Sequence, residues 1–208
     1  MRLTTTIVKF PEIRLRTRDG HKLRGFFGNL FEEHSELLHN HYADGSGRYK
    51  YPLVQYKVVN RLPHLVGIAE GADLLIELFL KIKFLDIDGQ HYPINAKNIT
   101  NKTIEIGDFT TLKRYRFKTL WYCLNQRNFK RYISLEKTDE KDAFLNRLLQ
   151  NNILSFYKGI GYRVEERIMA TSELQAKKTQ FKNQNMIAFS GHFEIGRASC
   201  RERVCHRV

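Results

Sequence analysis

Long hydrophobic runs are missing from this sequence of 208 residues. A membrane-spanning helix needs about 20 consecutive apolar residues, and no stretch approaches that length. Residues 1–6 are rich in threonine and are typical of a strand instead of a signal peptide. We therefore expect no membrane partner and a cytoplasmic location. With 42% hydrophobic residues, the chain can still build the core of one domain or of two small ones.

Cysteine is also scarce, with three in the whole chain. Two of them, Cys200 and Cys205, fall in a C-terminal segment whose start, residues 194–204, back-translates into DNA resembling sequencing-adapter read-through. We therefore interpret residues 195–208 as an artefact tail. Cys123 alone remains, which excludes a disulfide framework and a cysteine zinc site. The sequence lacks a P-loop and a Gly-x-Ser-x-Gly motif as well, so neither phosphate binding of that kind nor serine hydrolysis has support.

Acidic residues are few relative to basic ones. Asp and Glu number 22 against 35 Lys and Arg, which gives a net charge of +13; without residues 195–208 the counts are 21 and 31, and the net charge is +10. Such an excess favours a polyanionic partner, either RNA, DNA or an acidic membrane surface. Since no Lys/Arg-rich amphipathic helix with an aromatic apolar face is evident in the sequence, the membrane is the weakest of the three.

The hydrophobic pattern of the first half predicts a β-α-β-β-α-β order. Strands are expected over residues 3–10, 48–60, 62–68, 84–87, 92–94 and 102–106, with one helix beginning at Asp19-Gly20 and another over 71–82. A turn is expected at Asp88-Gly89. This order predicts a ferredoxin-like domain over residues 1–106.

The hydrophobic pattern of the second half predicts a similar but shorter series of strands and helices. We expect a strand over 112–124, a turn holding Arg127, Lys130 and Arg131, a helix over 139–156, and a hairpin of 168–177 with 185–193. A closing helix and strand are missing, which we attribute to truncation by the artefact tail. The predicted fold class is therefore α+β, with tandem ferredoxin-like (RRM-like) domains at 1–106 and 107–194, the second incomplete.

His39 and His41, in the tripeptide His39-Asn40-His41, point most directly to chemistry. In an extended segment their rings lie on one side about 7 Å apart, which can straddle a scissile phosphate. Imidazole has an unperturbed pKa of about 6.5, so near neutral pH one ring can accept a proton while the other donates one. Two other interpretations stay open: the histidines are solvated or structural, or they bind a metal with a nearby acidic residue as third ligand, from among Glu32, Glu33, Glu36 and Asp44.

Two segments combine cations with aromatic rings in the way that single-stranded RNA favours. The first contains Arg48, Lys50 and Lys57 among Tyr49, Tyr51 and Tyr56, and the second contains Lys113, Arg114 and Arg116 beside Tyr115, Phe117 and Trp121. Each is also compatible with an ordinary half-buried strand that has a solvated charged face.

Several motifs occur in a characteristic sequence order: Leu-Arg-Gly-Phe-Phe-Gly at 23–28, Leu-His-Asn-His at 38–41, Tyr-Lys-Tyr-Pro-Leu-Val-Gln-Tyr-Lys at 49–57, Val-Gly-Ile at 66–68 and Glu-Gly-Ala at 70–72. With them, residues 1–85 resemble the family of CRISPR-associated endoribonucleases that cut precursor CRISPR RNA, particularly its subtype I-B-like branch. Phe-Ser-Gly-His-Phe at 189–193 is similar, more loosely, to a late strand of the same family.

The resemblance implies metal-independent cleavage of repeat RNA, without a cofactor, to give 2′,3′-cyclic phosphate and 5′-hydroxyl ends. It implies catalytic roles for His39 and His41, and it makes Tyr49 a candidate for orienting the reacting groups. The expected RNA-binding residues are Lys22, Arg24, Arg48, Lys50, Lys57, Lys113, Arg114 and Arg116. The expected partners are CRISPR repeat RNA and subunits of a CRISPR effector complex, with the protein acting as a monomer or homodimer. Two rival functions are a non-catalytic RNA-binding subunit of an effector complex and a metal-dependent nuclease.

Overall fold

The computed structural model describes residues 1–31, 51–107, 109–181 and 184–197. The chain divides between Ile106 and Gly107 into two compact units.

The first unit has the predicted β-α-β-β-α-β order with a small hairpin added. Its elements are β1 (Arg2–Lys9), a 3-10 turn (Thr17–Asp19), α1 (Gly20–Leu30), β2 (Val54–Val59), β3 (Leu62–Ile68), α2 (Glu70–Leu78), β4 (Phe84–Ile87), β5 (Gln90–Pro93) and β6 (Asn98–Glu105). The antiparallel main sheet has the order β2-β3-β1-β6, which is the ferredoxin-like arrangement. β4 and β5 pair separately through the predicted turn, where Asp88 and Gly89 both have positive φ.

Helix α1 covers one face of this sheet with an aromatic cluster. Leu23 and Phe27 are one turn apart and buried, as the helical spacing predicts. Phe27 stacks on Phe10 with ring centroids 6.3 Å apart, and on Tyr56 of β2 at 5.9 Å. The helix ends at Leu30, and the next residue, Phe31, stacks on Phe27 at 6.2 Å. Aromatic rings that precede α1 in the sequence (Phe10) and rings that follow it (Phe31 and Tyr56) therefore pack around Phe27.

Helix α2 lies unusually close to the sheet at two glycines. A Cβ added at Gly67 of β3 would lie 2.2 Å from the Gly71 carbonyl oxygen, and one added at Gly71 would lie 2.3 Å from the Leu53 carbonyl oxygen. Both glycines belong to motifs on which the family resemblance rests. Their role in the fold is to let backbone approach backbone where α2 starts.

The second unit forms a three-stranded sheet with two helices. Its elements are β7 (Lys113–Arg116), α3 (Gln126–Ser134), α4 (Thr138–Gly159), β8 (Ile168–Phe181) and β9 (Gln184–Arg197), and the sheet order is β7-β9-β8. The first unit has the same order in β1-β3-β2, so the second unit repeats the first three strands of a ferredoxin-like domain. The fold class is α+β with tandem ferredoxin-like domains, as predicted.

Two expectations for the second unit were wrong. The strand expected over 112–124 ends at Arg116. Beyond it the chain bonds to β9 through the Phe117 N–H, which donates to the Gly191 carbonyl oxygen at 3.1 Å, and through an isolated bridge between Trp121 and Phe189. The turn expected around Arg127 is helix α3, whose first turn is capped by the Asn125 side chain accepting a hydrogen bond from the Asn128 N–H at 2.9 Å.

The predicted hairpin of the second unit is present and longer than expected. β9 continues through Ile195, Gly196 and Arg197, which pair with Ala170, Met169 and Ile168 of β8. These three residues open the segment that the sequence assigned to an artefact tail. In the structure they extend the β8–β9 ladder as partners of the start of β8, where Ile168 and Ala170 are buried.

Candidate functional site

The predicted site residues are only partly within the described chain. His39, His41, Tyr49, Arg48 and Lys50 lie outside the described residues. The others fall in the two units separately: Lys22, Arg24 and Lys57 in the first, and Lys113, Arg114 and Arg116 in the second.

Lys22 is engaged by two carboxylates. Its ammonium lies 3.0 Å from Asp19 Oδ1 and donates a short hydrogen bond to Asp88 at the β4–β5 turn. The hydrogen bonds to Asp88 and Asp19 raise the pKa of Lys22 above its usual value. Asp86 and Asp88 line the open pocket beside Lys22 and Phe26. This lysine therefore ties α1 to the β4–β5 hairpin, in surroundings that are more acidic than a phosphate-binding site favours.

Arg24 and Lys57 are both exposed, whereas Tyr56 is not available for stacking on bases. Tyr56 lies on the core face of β2, where its ring packs on Phe27. Burial raises the pKa of the Tyr56 hydroxyl, and the opposing charge of Arg24 does not offset that effect. Tyr56 is therefore a core residue, and Lys57, its neighbour in sequence, lies on the other face of the sheet.

Strand β7 presents its three predicted cations on two different faces. Arg114 and Arg116 pair in register with Glu194 and His192 of β9, so these four share one face. Arg114 also forms an ion pair with Glu173, at 3.0 Å. Lys113 lies on the opposite face, with its ammonium 5.5 Å from the centre of the Phe109 ring. Alternation therefore prevents the three from acting as one row.

The aromatic residues near β7 pack against one another, two pairs stacked and one tilted. The Tyr115 and Phe193 rings are 5.4 Å apart, Phe117 and Phe193 are 4.6 Å apart, and Phe117 and Trp121 are 5.3 Å apart. Tyr115 at the end of this series is 43% exposed. The rings are thus mainly packed side by side, and Tyr115 keeps an accessible surface.

Helix α3 presents a basic surface formed by residues that were predicted to lie in a turn. Arg127, Lys130 and Arg131 recur at helical spacing and are exposed. The Arg131 guanidinium lies 5.3 Å from the centre of the Phe144 ring of α4, which fixes its position. Phe129 and Tyr132, on the other side of α3, pack against the core around Phe189. The helix could have been predicted from two features of the sequence: the apolar residues Phe129 and Tyr132 at i and i+3, and Asn125 as an N-cap residue.

Cys123 is a free cysteine of the second unit and is partly buried. Burial raises the pKa of the Cys123 thiol to about 12, so it is not a reactive thiolate. Within the described part of the chain, no group of three His, Cys, Asp or Glu side chains is placed to hold a metal ion. No helix in that part is long and apolar enough to cross a membrane.

Comparison with known families decides what these two units are. Residues 1–105 match the sequence model of the Cas6b N-terminal domain, and residues 107–198 match that of the Cas6b C-terminal domain. The chain belongs to the Cas6b family. The family resemblance predicted from the sequence motifs is thereby confirmed.

Solved structures and one curated protein are similar to this Cas6b chain. A crystal structure described as Cas6b is 34% identical, with a TM-score of 0.87 over 96% of this chain and 91% of that one. A structure described as the CRISPR RNA processing endoribonuclease Cas6b is 30% identical, with a TM-score of 0.74 over 96% and 90%. The uncharacterized protein MJ0978 of Methanocaldococcus jannaschii is 31% identical over 120 residues, which are 57% of this chain and 81% of that protein.

Proposed function

We propose that this chain is an endoribonuclease that cuts CRISPR repeat RNA without a metal ion, leaving 2′,3′-cyclic phosphate and 5′-hydroxyl ends. The observation that carries the proposal is the match of both halves to Cas6b domains, together with the 30% identity to a structure described as a CRISPR RNA processing endoribonuclease. The likeness extends over nearly the whole of both chains, so it is not limited to a shared ferredoxin-like fold.

His39 and His41 carry the chemistry in this proposal. One imidazole removes the proton of the 2′-hydroxyl, whose oxygen attacks the adjacent phosphorus atom. The bond from phosphorus to the 5′-oxygen breaks, and the other imidazole gives its proton to that oxygen. Tyr49 orients the reacting groups, and nearby cations, with Lys50 as a candidate, stabilise the crowded phosphate. Support for the assignment is the His-x-His spacing between α1 and β2 and its position within the first family domain.

Binding of the RNA is distributed over both units. Exposed cations support this part of the proposal: Arg24 and Lys57 in the first unit, and Arg116 with the α3 residues Arg127 and Lys130 in the second. Lys22, Arg48, Lys50, Lys113 and Arg114 remain predicted contacts. We expect the enzyme to work in the cytoplasm as a monomer or homodimer, with subunits of a CRISPR effector complex as further partners.

The decisive experiment measures cleavage of end-labelled repeat RNA in EDTA. An unmodified strand is compared with one carrying a single 2′-deoxy nucleotide at the scissile position. We expect a cut in the first strand and none in the second, because the attacking group is missing. His39→Ala and His41→Ala should each lower the single-turnover rate by at least about 100-fold while binding changes little. His91→Ala, which alters an exposed histidine of β5, is the matched control and should cleave normally.

Each alternative function has its own outcome in this assay. Cleavage that requires a divalent cation and disappears in EDTA would replace the proposal with the metal-dependent nuclease. Binding of repeat RNA without a cut under any condition would replace it with the RNA-holding subunit.

A further inference from the structure

One cross-strand row of the first sheet combines two lysines with an imidazole. Lys57 of β2 is directly opposite His64 of β3, His64 is opposite Lys9 of β1, and Lys9 is opposite Asn98 of β6. Residues opposite each other in antiparallel strands have Cβ atoms about 5 Å apart on the same face. The four side chains therefore form one continuous row across the whole sheet.

This row lies on the face of the sheet that the helices do not cover. The sequence neighbours Val58, Leu65 and Val8 point the other way and are buried in the core with residues of α1 and α2. Alternation along each strand places Lys57, His64 and Lys9 on the opposite side. Lys57 and Asn98 are exposed, and His64 and Lys9 are half-buried. The row is thus partly accessible, and burial around the Lys57 ammonium lowers the pKa of that group.

The His64 ring is oriented by its own strand. Its Nδ1 lies 2.7 Å from the Leu62 carbonyl oxygen. Since a carbonyl oxygen only accepts, Nδ1 carries a proton, and Nε2 is the ring nitrogen left for a ligand. No described residue contacts Nε2 through a hydrogen bond. A fixed ring between two flexible lysines is a suitable centre for a polar binding row.

The segments near the β2–β3 turn carry more basic than acidic residues, with Arg14, Arg16 and Arg61 against Glu12. Arg61 is at the β2–β3 turn, and its carbonyl oxygen accepts a hydrogen bond from the Leu15 N–H at 2.9 Å, which brings the segment containing Arg14 and Arg16 alongside. Among the described residues, neither Lys9 nor Lys57 has an acidic partner within ion-pair distance. The next row toward the sheet centre, Gln55-Val66-Ile7-Thr100, contains no aromatic ring on which a base could stack. The face therefore suits phosphates better than bases.

We infer that Lys9, His64 and Lys57 form a phosphodiester-binding row that holds repeat RNA outside the reacting centre. The inference rests on the proposed function for the identity of the ligand. Lys9 and Lys57 stand two strands apart, about 10 Å at the backbone, so their long side chains reach the phosphates on either side of the His64 ring. The row contributes to binding and takes no part in bond breaking.

Binding should be measured first, with an RNA that cannot be cut. The ligand is repeat RNA with the 2′-deoxy nucleotide at the scissile position, titrated at several salt concentrations. We expect Lys9→Gln/Lys57→Gln to raise Kd at least about tenfold and to lower the slope of log Kd against log salt by about 1.4, since about 0.7 is lost per phosphate contact in single strands. His64→Gln should raise Kd a few-fold. Lys81→Gln, on the helix-covered side and paired with Glu77, is the matched control and should leave Kd unchanged.

Cleavage of unmodified RNA then separates a binding role from a structural or catalytic one. The row variants should require more enzyme to reach the maximal single-turnover rate, while that rate stays within about twofold of the parent. Thermal unfolding of each variant checks that the sheet is intact. Row variants that bind and cleave like Lys81→Gln would overturn the inference and leave the proposed function standing. A parent protein that neither binds nor cuts repeat RNA would overturn the proposed function as well.

Discussion

Asp19 is a buried carboxylate at the start of α1, bonded to the Arg16 N–H at 3.0 Å and to the Lys22 ammonium. Burial alone would raise the pKa of Asp19, but these hydrogen bonds outweigh it and hold the pKa below its usual value. A carboxyl with a lowered folded-state pKa stabilises the fold above its unfolded pKa of about 3.9, and that contribution is lost as the pH falls through the folded value.

Asp19→Asn should therefore lower the free energy of unfolding by about 1–2 kcal/mol at pH 7. The difference from the parent should be constant down to about pH 5 and should shrink below pH 4. Urea unfolding followed by circular dichroism from pH 7 to pH 3 measures it. Glu12→Gln, at an exposed carboxyl, is the control with no such trend. A difference that persists unchanged at pH 3 would contradict the assigned charge interactions.

Gly67 shows that a family motif can be required by packing alone. Gly67→Ala would press its Cβ against the Gly71 carbonyl, which is backbone and cannot rotate away. We expect a loss of at least about 2 kcal/mol in unfolding free energy. Gly25→Ala is the matched control because its Cβ meets nothing within 4 Å on α1, and it should stabilise by about 0.5–1 kcal/mol. Equal stability of the two variants would refute the close-approach argument.

At the level of elements, the sequence predicted those whose hydrophobic period is regular. The order of the first unit and the hairpin of the second were correct because alternation and helical spacing extend over whole segments. Helix α3 was not predicted, because its basic residues Arg127, Lys130 and Arg131 suggested an exposed turn. The helical spacing of Phe129 and Tyr132, which pack against the core, was not recognised. The strand at 112–124 was overextended because aromatic residues continue after Arg116, although their rings stack on one another outside the ladder.

The candidate site was predictable in its residue types but not in its groupings. The sequence singled out Lys57 as a cation in a strand, yet Lys9 and His64 become its neighbours only when three strands are paired in register. In β7, residues that are adjacent in the sequence are separated instead, because alternation places Lys113 on one face of the strand and Arg114 and Arg116 on the other. Contacts across strands depend on register, which local periodicity does not specify.

The end of β9 gives a prediction about a whole element. A chain ending at Glu194 loses the pairing of residues 195–197 with β8 and the hydrogen bond from the Arg197 N–H to the Phe109 carbonyl at 2.8 Å. Compared with a chain ending at Arg197, it should be less stable by about 2–4 kcal/mol in the second unit.

Fluorescence of Trp121, the only tryptophan of the sequence, reports on the second unit during urea unfolding. The chain ending at Arg197 serves as the reference, because it keeps every described residue of β9. Identical urea midpoints for the two chains would show that residues 195–197 add nothing to the sheet.

At the scale of the molecule, chemistry and affinity are assigned to different parts of the chain. The first unit contains all four strands and both helices of a ferredoxin-like domain, along with the proposed catalytic histidines. The second unit contributes cations of β7 and α3 to RNA binding in the proposed function. A fragment of residues 1–106 should therefore fold cooperatively by itself, which circular dichroism and thermal unfolding would show.

The same fragment should cleave repeat RNA in EDTA with a much higher requirement for enzyme. We expect the concentration for half-maximal single-turnover rate to rise at least about tenfold, since phosphate contacts of the second unit are lost, and the salt dependence of binding to become shallower. The maximal rate should fall less than the affinity, because the proton transfers are proposed within the first unit. A folded fragment that binds as tightly as the full chain but never cuts would place an essential catalytic group in the second unit and refute this division of roles.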